Sequence, residues 1–297
     1  PMNTEFDTRM MARALQLARL GKYWAMPNPH VGCVLVRDGV VIGEGFTQPA
    51  GGNHAEIEAL KKAGDAQGAT AYVTLEPCSH QGRTGPCADA LIAQGVSRVV
   101  AAMEDPNLLV GGDGFRKLEQ AGVEVSCGLL ELEARAVIPG FVSRMSRGRG
   151  RVRAKLAMSL DGRTAMASGE SQWITGPAAR QDVQRLRAMS CAVVTGIGTV
   201  LDDDCALTVR GDELGLPADQ AEQACQKQPL RVVLDSKLRT PATARILDDA
   251  APTILCHADT AEVPQPIVAS AVDRLPLATG ENGLDLDKLL EYLSARQ

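Results

Sequence analysis

Apolar positions along the first half of the chain switch repeatedly between a helical and a strand period. Residues 9–20 (RMMARALQLARL) place Met10, Met11, Ala14, Leu15 and Ala18 on one helical stripe. PNPHVG at 27–32 breaks that period, and the runs VGCVLV and VVIGEGF flank Asp38-Gly39, a dipeptide suited to a hairpin turn. Residues 54–63 (HAEIEALKKA) are rich in helix formers, 70–75 read as a buried strand, and CADALIAQG reads as a short helix ending at Gly95. SRVVAAM is a further strand, 113–122 a helix, VEVSCGL a strand and 129–147 a final helix. The order β-β-α-β-α-β-α-β-α predicts a layered α/β domain with a mixed sheet.

The pattern lapses at 144–153 (RMSRGRGRVR), where arginines and glycines interrupt the apolar positions. A solvated linker and a phosphate-binding patch are both open readings, and the run sets the expected domains at 1–147 and 148–297. Beyond it the pattern predicts a strand (RVRAKLAM), a turn at Asp161-Gly162, and a helix with Pro177 in its first turn. CAVVTGIGTVL follows as strand and turn, then an acidic irregular stretch from Gly211 to Gln228. PLRVVLDS and PTILCH are strands, and DLDKLLEYLSA is a terminal helix.

Composition narrows the function classes. At 297 residues the chain has room for two domains. Its 31 Lys plus Arg against 36 Asp plus Glu leave no excess positive charge for a nucleic-acid coat or an anionic membrane. The best apolar run, Ala188 to Leu201, is interrupted by Ser190, Thr195, Gly196, Gly198 and Thr199, so no membrane span is expected. PMNTEFDTRM offers neither the basic nor the apolar region of a secretory signal, which implies a cytoplasmic protein with reduced thiols. Cys33, Cys127, Cys191 and Cys256 lie in strand-like apolar surroundings as small hydrophobes. Cys78 and Cys87 have neighbours that suggest chemistry.

Those neighbours are His-Ala-Glu at 54–56 and PCSHQGRTGPC at 77–87. A hydrolytic zinc site needs three nitrogen or thiolate donors, one open position for water, and a nearby carboxylate that does not ligate. His54, Cys78 and Cys87 supply the donors and Glu56 the proton-carrying carboxylate. His54 and Cys87 both open predicted helices, where the dipole favours thiolate, while Cys78 follows a strand end beside Pro77. Zinc deaminases carry H-x-E…P-C-x-x-C, but here the second cysteine stands nine positions after the first. A structural zinc clip with His80 as fourth ligand is the competing reading.

PNPHVG, HAE and TLEPCSHQGRTGPC together resemble the deaminase half of the bifunctional riboflavin-biosynthesis deaminase–reductases, over roughly residues 5–145. The wide cysteine spacing belongs to that family's pattern. The resemblance implies a cytidine-deaminase-like three-layer fold, zinc, and contacts from Asn28, His80 and Arg83 to a phosphorylated pyrimidine. Read alone, Arg83 is an exposed loop charge.

In the second half, SLDGR…SGESQWIT and the GxGTVxxDD segment resemble the reductase half of the same family. This implies a dihydrofolate-reductase-like α/β domain using NADPH. Matched residue by residue, Ala157, Trp173, Thr199, Asp203 and Ser236 would lie along the cofactor, and Ser171, Arg187, Leu207 and Arg210 would face the substrate. Without the resemblance, Gly196 and Gly198 mark either a tight turn or a backbone approach to phosphate, since the third glycine of a dinucleotide fingerprint is absent. Cys205 stands where the family has proline, which predicts a looser loop, and the family pattern runs on past the helix at 285–295, which predicts an incomplete reductase half. A homo-oligomer, dimer or tetramer, is also implied. The rival readings are a deaminase with an inactive reductase half, a cytidine- or tRNA-adenosine-type deaminase, and a non-catalytic zinc module.

Overall fold

The chain divides into two compact units, Pro1–Arg151 and Val152–Gln297. The computed structural model describes residues 4–80, 85–170, 173–268, 272–281 and 283–296. In the first unit helix α1 (Thr4–Leu20) precedes the hairpin of β1 (Gly32–Arg37) and β2 (Val40–Phe46). Asp38 and Gly39 at its tip have φ of 52° and 76°, and two left-handed central residues match the twist of the flanking strands. Then come α2 (Ala55–Ala63), β3 (Thr70–Val73), α3 (Cys87–Ala93), β4 (Arg98–Ala101), α4 (Asp113–Gln120) and β5 (Glu124–Cys127). The sheet order is β2-β1-β3-β4-β5, with β1 antiparallel to β2 and β3 and the remaining pairs parallel. This is the mixed sheet that the apolar pattern predicted.

Glycines set how closely helices approach that sheet. Gly45 lies opposite Cys33, and a Cβ on it would stand 2.1 Å from the Ala55 carbonyl oxygen of α2. Gly32 points to the other face, where a Cβ would stand 1.9 Å from the Ala14 carbonyl oxygen of α1. The two helices therefore cover opposite faces, giving three layers, and the first turn of α2 is pressed onto β2. Asp7 of α1 is buried and ties that helix to the sheet: it accepts the Tyr72 hydroxyl at 2.6 Å and the Arg98 guanidinium at 3.1 and 3.0 Å. The stretch 129–147 is two helices, α5 (Glu131–Val137) and α6 (Pro139–Arg147), rather than the single one predicted. Pro139 has no amide to donate and disfavours a helical Ile138, which sits at φ −120°, ψ 48°.

The second unit holds α7 (Pro177–Ala188), β6 (Ala192–Gly196), α8 (Ile197–Asp203), α9 (Ala218–Cys225), β7 (Leu230–Leu234) and β8 (Thr253–Ala258). They are followed by α10 (Gln265–Val268), β9 (Asp273–Leu277), the small ribbon β10 (Thr279–Gly280) and β11 (Gly283–Leu284), and α11 (Leu286–Ala295). Strands β6-β7-β8-β9 form a wholly parallel sheet. The strand predicted over RVRAKLAM does not form; Val152, Leu156 and Met158 are exposed there. Alternation alone does not make a strand, whose amides and carbonyls need a ladder partner. The predicted turn forms, with Gly162 at φ 80° and its amide on the Ser159 carbonyl at 2.9 Å. The stretch expected to be irregular contains a 3-10 turn (Gly211–Glu213) and α9. β9 escaped the sequence pattern because Pro276 interrupts it, yet an edge strand tolerates a proline. Among the described residues no helix is long and apolar enough to cross a membrane.

Candidate active site

His54 is the residue before the first turn of α2, with extended backbone (φ −74°, ψ 164°), and its carbonyl accepts the Glu58 amide at 3.1 Å. Cys87 opens α3 directly after Pro86, and Cys78 lies in the loop between β3 and α3. The Cys87 amide donates to Cys78 Sγ at 3.3 Å, and the Ala88 amide to the Cys78 carbonyl at 3.1 Å, so the helix start organises the loop cysteine. His54 Nδ1 stands 3.3 Å from Cys87 Sγ and 3.7 Å from Cys78 Sγ. The donor atoms of the three residues all lie within 4.8 Å of one another. One imidazole nitrogen and two sulfurs converging in this way fit a zinc ion by the chemistry of the donors. Among the described residues no fourth ligating group joins them, and His80 is exposed, so the four-ligand clip with His80 is not what the structure forms.

Glu56 sits in the first turn of the same helix and is 4% exposed. Burial pushes its carboxyl up to about 7, with the neighbouring Cys78 adding to the rise. Cys78 is held down to about 4 by hydrogen bonds from Cys87 and then from His54. Cys87 moves upward because it shares its proton with Cys78 and is buried. The site thus sets a thiolate-favouring sulfur in the loop before α3 beside a proton-holding carboxyl in the first turn of α2.

Asn28 stands exposed in the loop before β1, and Arg83 lies outside the described residues. Two residues that the motifs did not assign stand beside the cluster. Glu76, buried at the end of the β3 run, accepts the amides of Asp105 (3.0 Å), Gly112 (2.9 Å) and Gly114 (2.8 Å), anchoring the loop after β4. Burial raises the Asp105 carboxyl, Glu76 and Cys78 reinforce the rise and His80 opposes it, which places Asp105 among the charges of the site. The one sequence signal was an acid two positions before Cys78 in an otherwise apolar run.

In the second unit β6 ends at Gly196 opposite Leu234 of β7, so α8 and Ser236 leave adjacent strands at the carboxyl edge of a parallel sheet. Ligands of such sheets bind at that edge. Thr199 and Asp203 are exposed on α8, and Ser236 is half-buried. Asp235, fully buried directly before Ser236, gives one oxygen to the Thr240 amide and hydroxyl, both at 2.7 Å, and its other oxygen has no partner among the described residues. A polar edge with open hydroxyls and an unmatched acceptor fits a nucleotide cofactor. Ala157 is half-buried in the segment without regular structure, and Trp173 is 71% exposed with the Arg180 guanidinium 4.5 Å from its ring centre. Gly196 and Gly198 have open space where a Cβ would go, so neither is demanded by a close approach. Ser171 lies outside the described residues. Arg187 and Arg210 come together: burial lowers Arg187 and the charge of Arg210 lowers it further. Arg187 donates to the Thr208 carbonyl at 2.7 Å, Arg210 forms a forked pair with Glu213 at 2.5 and 2.7 Å, and Leu207, three residues before Arg210, lies at φ 52°.

Comparison with known proteins gives two family matches. Residues 4–103 match the cytidine and deoxycytidylate deaminase zinc-binding region, and residues 151–297 match the RibD C-terminal domain. The riboflavin biosynthesis protein RibD of Escherichia coli (strain K12) is 50% identical over 299 residues, covering 98% of this chain and 79% of that protein. The solved structure of Acinetobacter baumannii RibD is 47% identical, with a TM-score of 0.88, covering 99% of this chain and 78% of that one. A deaminase/5-amino-6-(5-phosphoribosylamino)uracil reductase from Thermotoga maritima is 35% identical, with a TM-score of 0.83, over 99% of this chain and 79% of its own.

Proposed function

The chain belongs to the RibD family of riboflavin biosynthesis proteins, and on that premise we propose that its first unit hydrolyses an amine from 2,5-diamino-6-(5-phosphoribosylamino)pyrimidin-4-one. The product is 5-amino-6-(5-phosphoribosylamino)uracil, whose ribosyl group the second unit reduces to ribityl with NADPH. The first unit is a cytidine-deaminase-like α/β domain and the second a dihydrofolate-reductase-like one. The observation that carries the deaminase reading is the convergence of His54, Cys78 and Cys87 donor atoms within 4.8 Å beside buried Glu56.

His54, Cys78 and Cys87 would hold the zinc, which when bound makes water acidic enough to attack at neutral pH. Glu56 holds a proton at its carboxyl and passes it to the departing amine, a role suited to a group poised near 7. Asn28, His80 and Arg83 would orient the pyrimidine and its ribose phosphate. In the second unit Thr199, Asp203 and Ser236, with Ala157 and Trp173, would hold NADPH, which supplies hydride to the open-chain ribose carbonyl. Arg187 and Arg210 would grip the substrate phosphate, with Ser171 and Leu207 completing its site; positioning rather than a protein nucleophile does the work. We place the enzyme in the cytoplasm as a homo-oligomer, a state that light scattering reads directly.

Ammonia release from the diaminopyrimidinone nucleotide, cytidine and RNA is the test, run on the parent and on Glu56→Gln at equal zinc content. Release from the nucleotide alone, falling by about 10²–10⁴ in the variant, is expected. Parental release by Glu56→Gln would overturn the mechanism, and preference for cytidine or RNA would overturn the substrate.

A further inference from the structure

We infer that Arg231 and Gln228 are positioning residues of the reductase: they clamp the backbone of residues 206–210 into the shape that presents Leu207 and Arg210 to the phosphorylated substrate. This rests on the proposal that those two residues bind it.

The loop carries two non-glycine residues in the left-handed region, Asp204 at φ 41° and Leu207 at φ 52°. Such backbone persists only where its surroundings over-determine it. Side chains provide that determination at each neighbour of Leu207. Arg231, fully buried on the inner strand β7, donates to the Ala206 carbonyl at 3.2 Å. Its other donors are spent on Thr253 Oγ1 (2.8 Å), Asp248 Oδ1 (2.8 Å), and the carbonyls of Asp248 and Ala251 (both 2.6 Å). Gln228 meets Val209 twice, accepting its amide at 2.7 Å and donating to its carbonyl at 3.1 Å. Arg187 takes the Thr208 carbonyl, and the buried Gln184 accepts the Arg210 amide at 3.3 Å. Leu207 itself packs against the cluster of Val200, Val233 and Leu238. The loop that Cys205 was expected to loosen is therefore held by polar side chains on its backbone rather than by a proline.

The guanidinium of Arg231 is irreplaceable in this role, because an ammonium has fewer donors and no fork. Gln228 offers a milder lesion that leaves no buried charge behind. The experiment measures NADPH oxidation by the full chain with the deaminated nucleotide, for the parent, Arg231→Lys and Gln228→Ala. Ammonia release by the first unit reads the amount of active chain in the same preparation, and the KM for NADPH reads the integrity of the second unit, to which Arg231 and Gln228 belong. The expected result is a KM for the nucleotide raised about tenfold in Gln228→Ala and more in Arg231→Lys, with KM for NADPH and ammonia release within twofold of the parent. A parental nucleotide KM in Gln228→Ala overturns the inference, whatever Arg231→Lys does. So does a rise shared equally by the nucleotide and NADPH, which marks general loosening of the unit. A parent that oxidises no NADPH with this nucleotide overturns the reductase reading and the inference with it.

Discussion

Glu56 answers two opposed demands. Burial penalises its charge and lifts its carboxyl to about 7, while its place in the first turn of α2 keeps it within reach of the cysteines. A carboxyl half-protonated near neutrality can both accept and return a proton, which an exposed glutamate near its ordinary value does poorly. The ligands depend on one another in the same way, since the Cys87 amide and thiol both act on Cys78. Cys87→Ser should therefore lose zinc along with ammonia release, because a hydroxyl is a poorer ligand and Cys78 loses its thiol partner. Parental zinc stoichiometry in that variant would show the ligand set to be wrong. These residues were legible because H-x-E and two cysteines are chemistry in themselves. Glu76 and Asp105 were not, because Glu76 works by accepting three backbone amides, a role with no residue-type signature.

At the scale of elements, the pleat and glycines bring the site together. Gly45 lets α2 rest on β2, and the start of that helix carries both His54 and Glu56. Asp38-Gly39 between the runs VGCVLV and VVIGEGF made the hairpin readable, and Pro139 could have warned that 129–147 would split. RVRAKLAM misled because a period-2 pattern says nothing about whether a neighbour completes the ladder. The tie between α1 and the sheet was invisible for a related reason: Asp7, Tyr72 and Arg98 are far apart in the chain and meet only in the folded unit. The hydrogen bond from Arg98 holds the Asp7 carboxyl below the usual carboxylate range, with Tyr72 assisting. A carboxyl depressed in the folded state contributes stability above its unfolded value and loses it as pH falls through the folded one. Unfolding of the first unit should thus become easier on acidification below about pH 4. Asp7→Asn should cost about 3 kcal/mol at neutral pH and flatten that acid limb, read by denaturant melts across pH. An unchanged acid limb would assign the pH dependence to other groups.

Across the whole molecule the two chemistries draw on separate residues. His54, Cys78, Cys87 and Glu56 belong to the first unit with its own five-stranded sheet, whereas Arg187, Arg210, Thr199 and Ser236 belong to the second with its parallel four-stranded sheet. Each unit also has its own core, around Leu35, Tyr72 and Val99 in one and around Val233, Leu255 and Ile246 in the other. On the proposed assignment, the loss of a metal from three ligands in the first unit removes none of the residues named for NADPH or the phosphate in the second. Treating the chain with a zinc chelator should abolish ammonia release, while NADPH oxidation on the already deaminated nucleotide persists within about twofold. Arg210→Ala should do the reverse, sparing ammonia release and raising the nucleotide KM for reduction by tenfold or more, because the guanidinium proposed to grip the substrate phosphate is removed. Joint loss of both activities on chelation would mean that the reductase depends on the metal, and the separation of roles between the two sheets would fail.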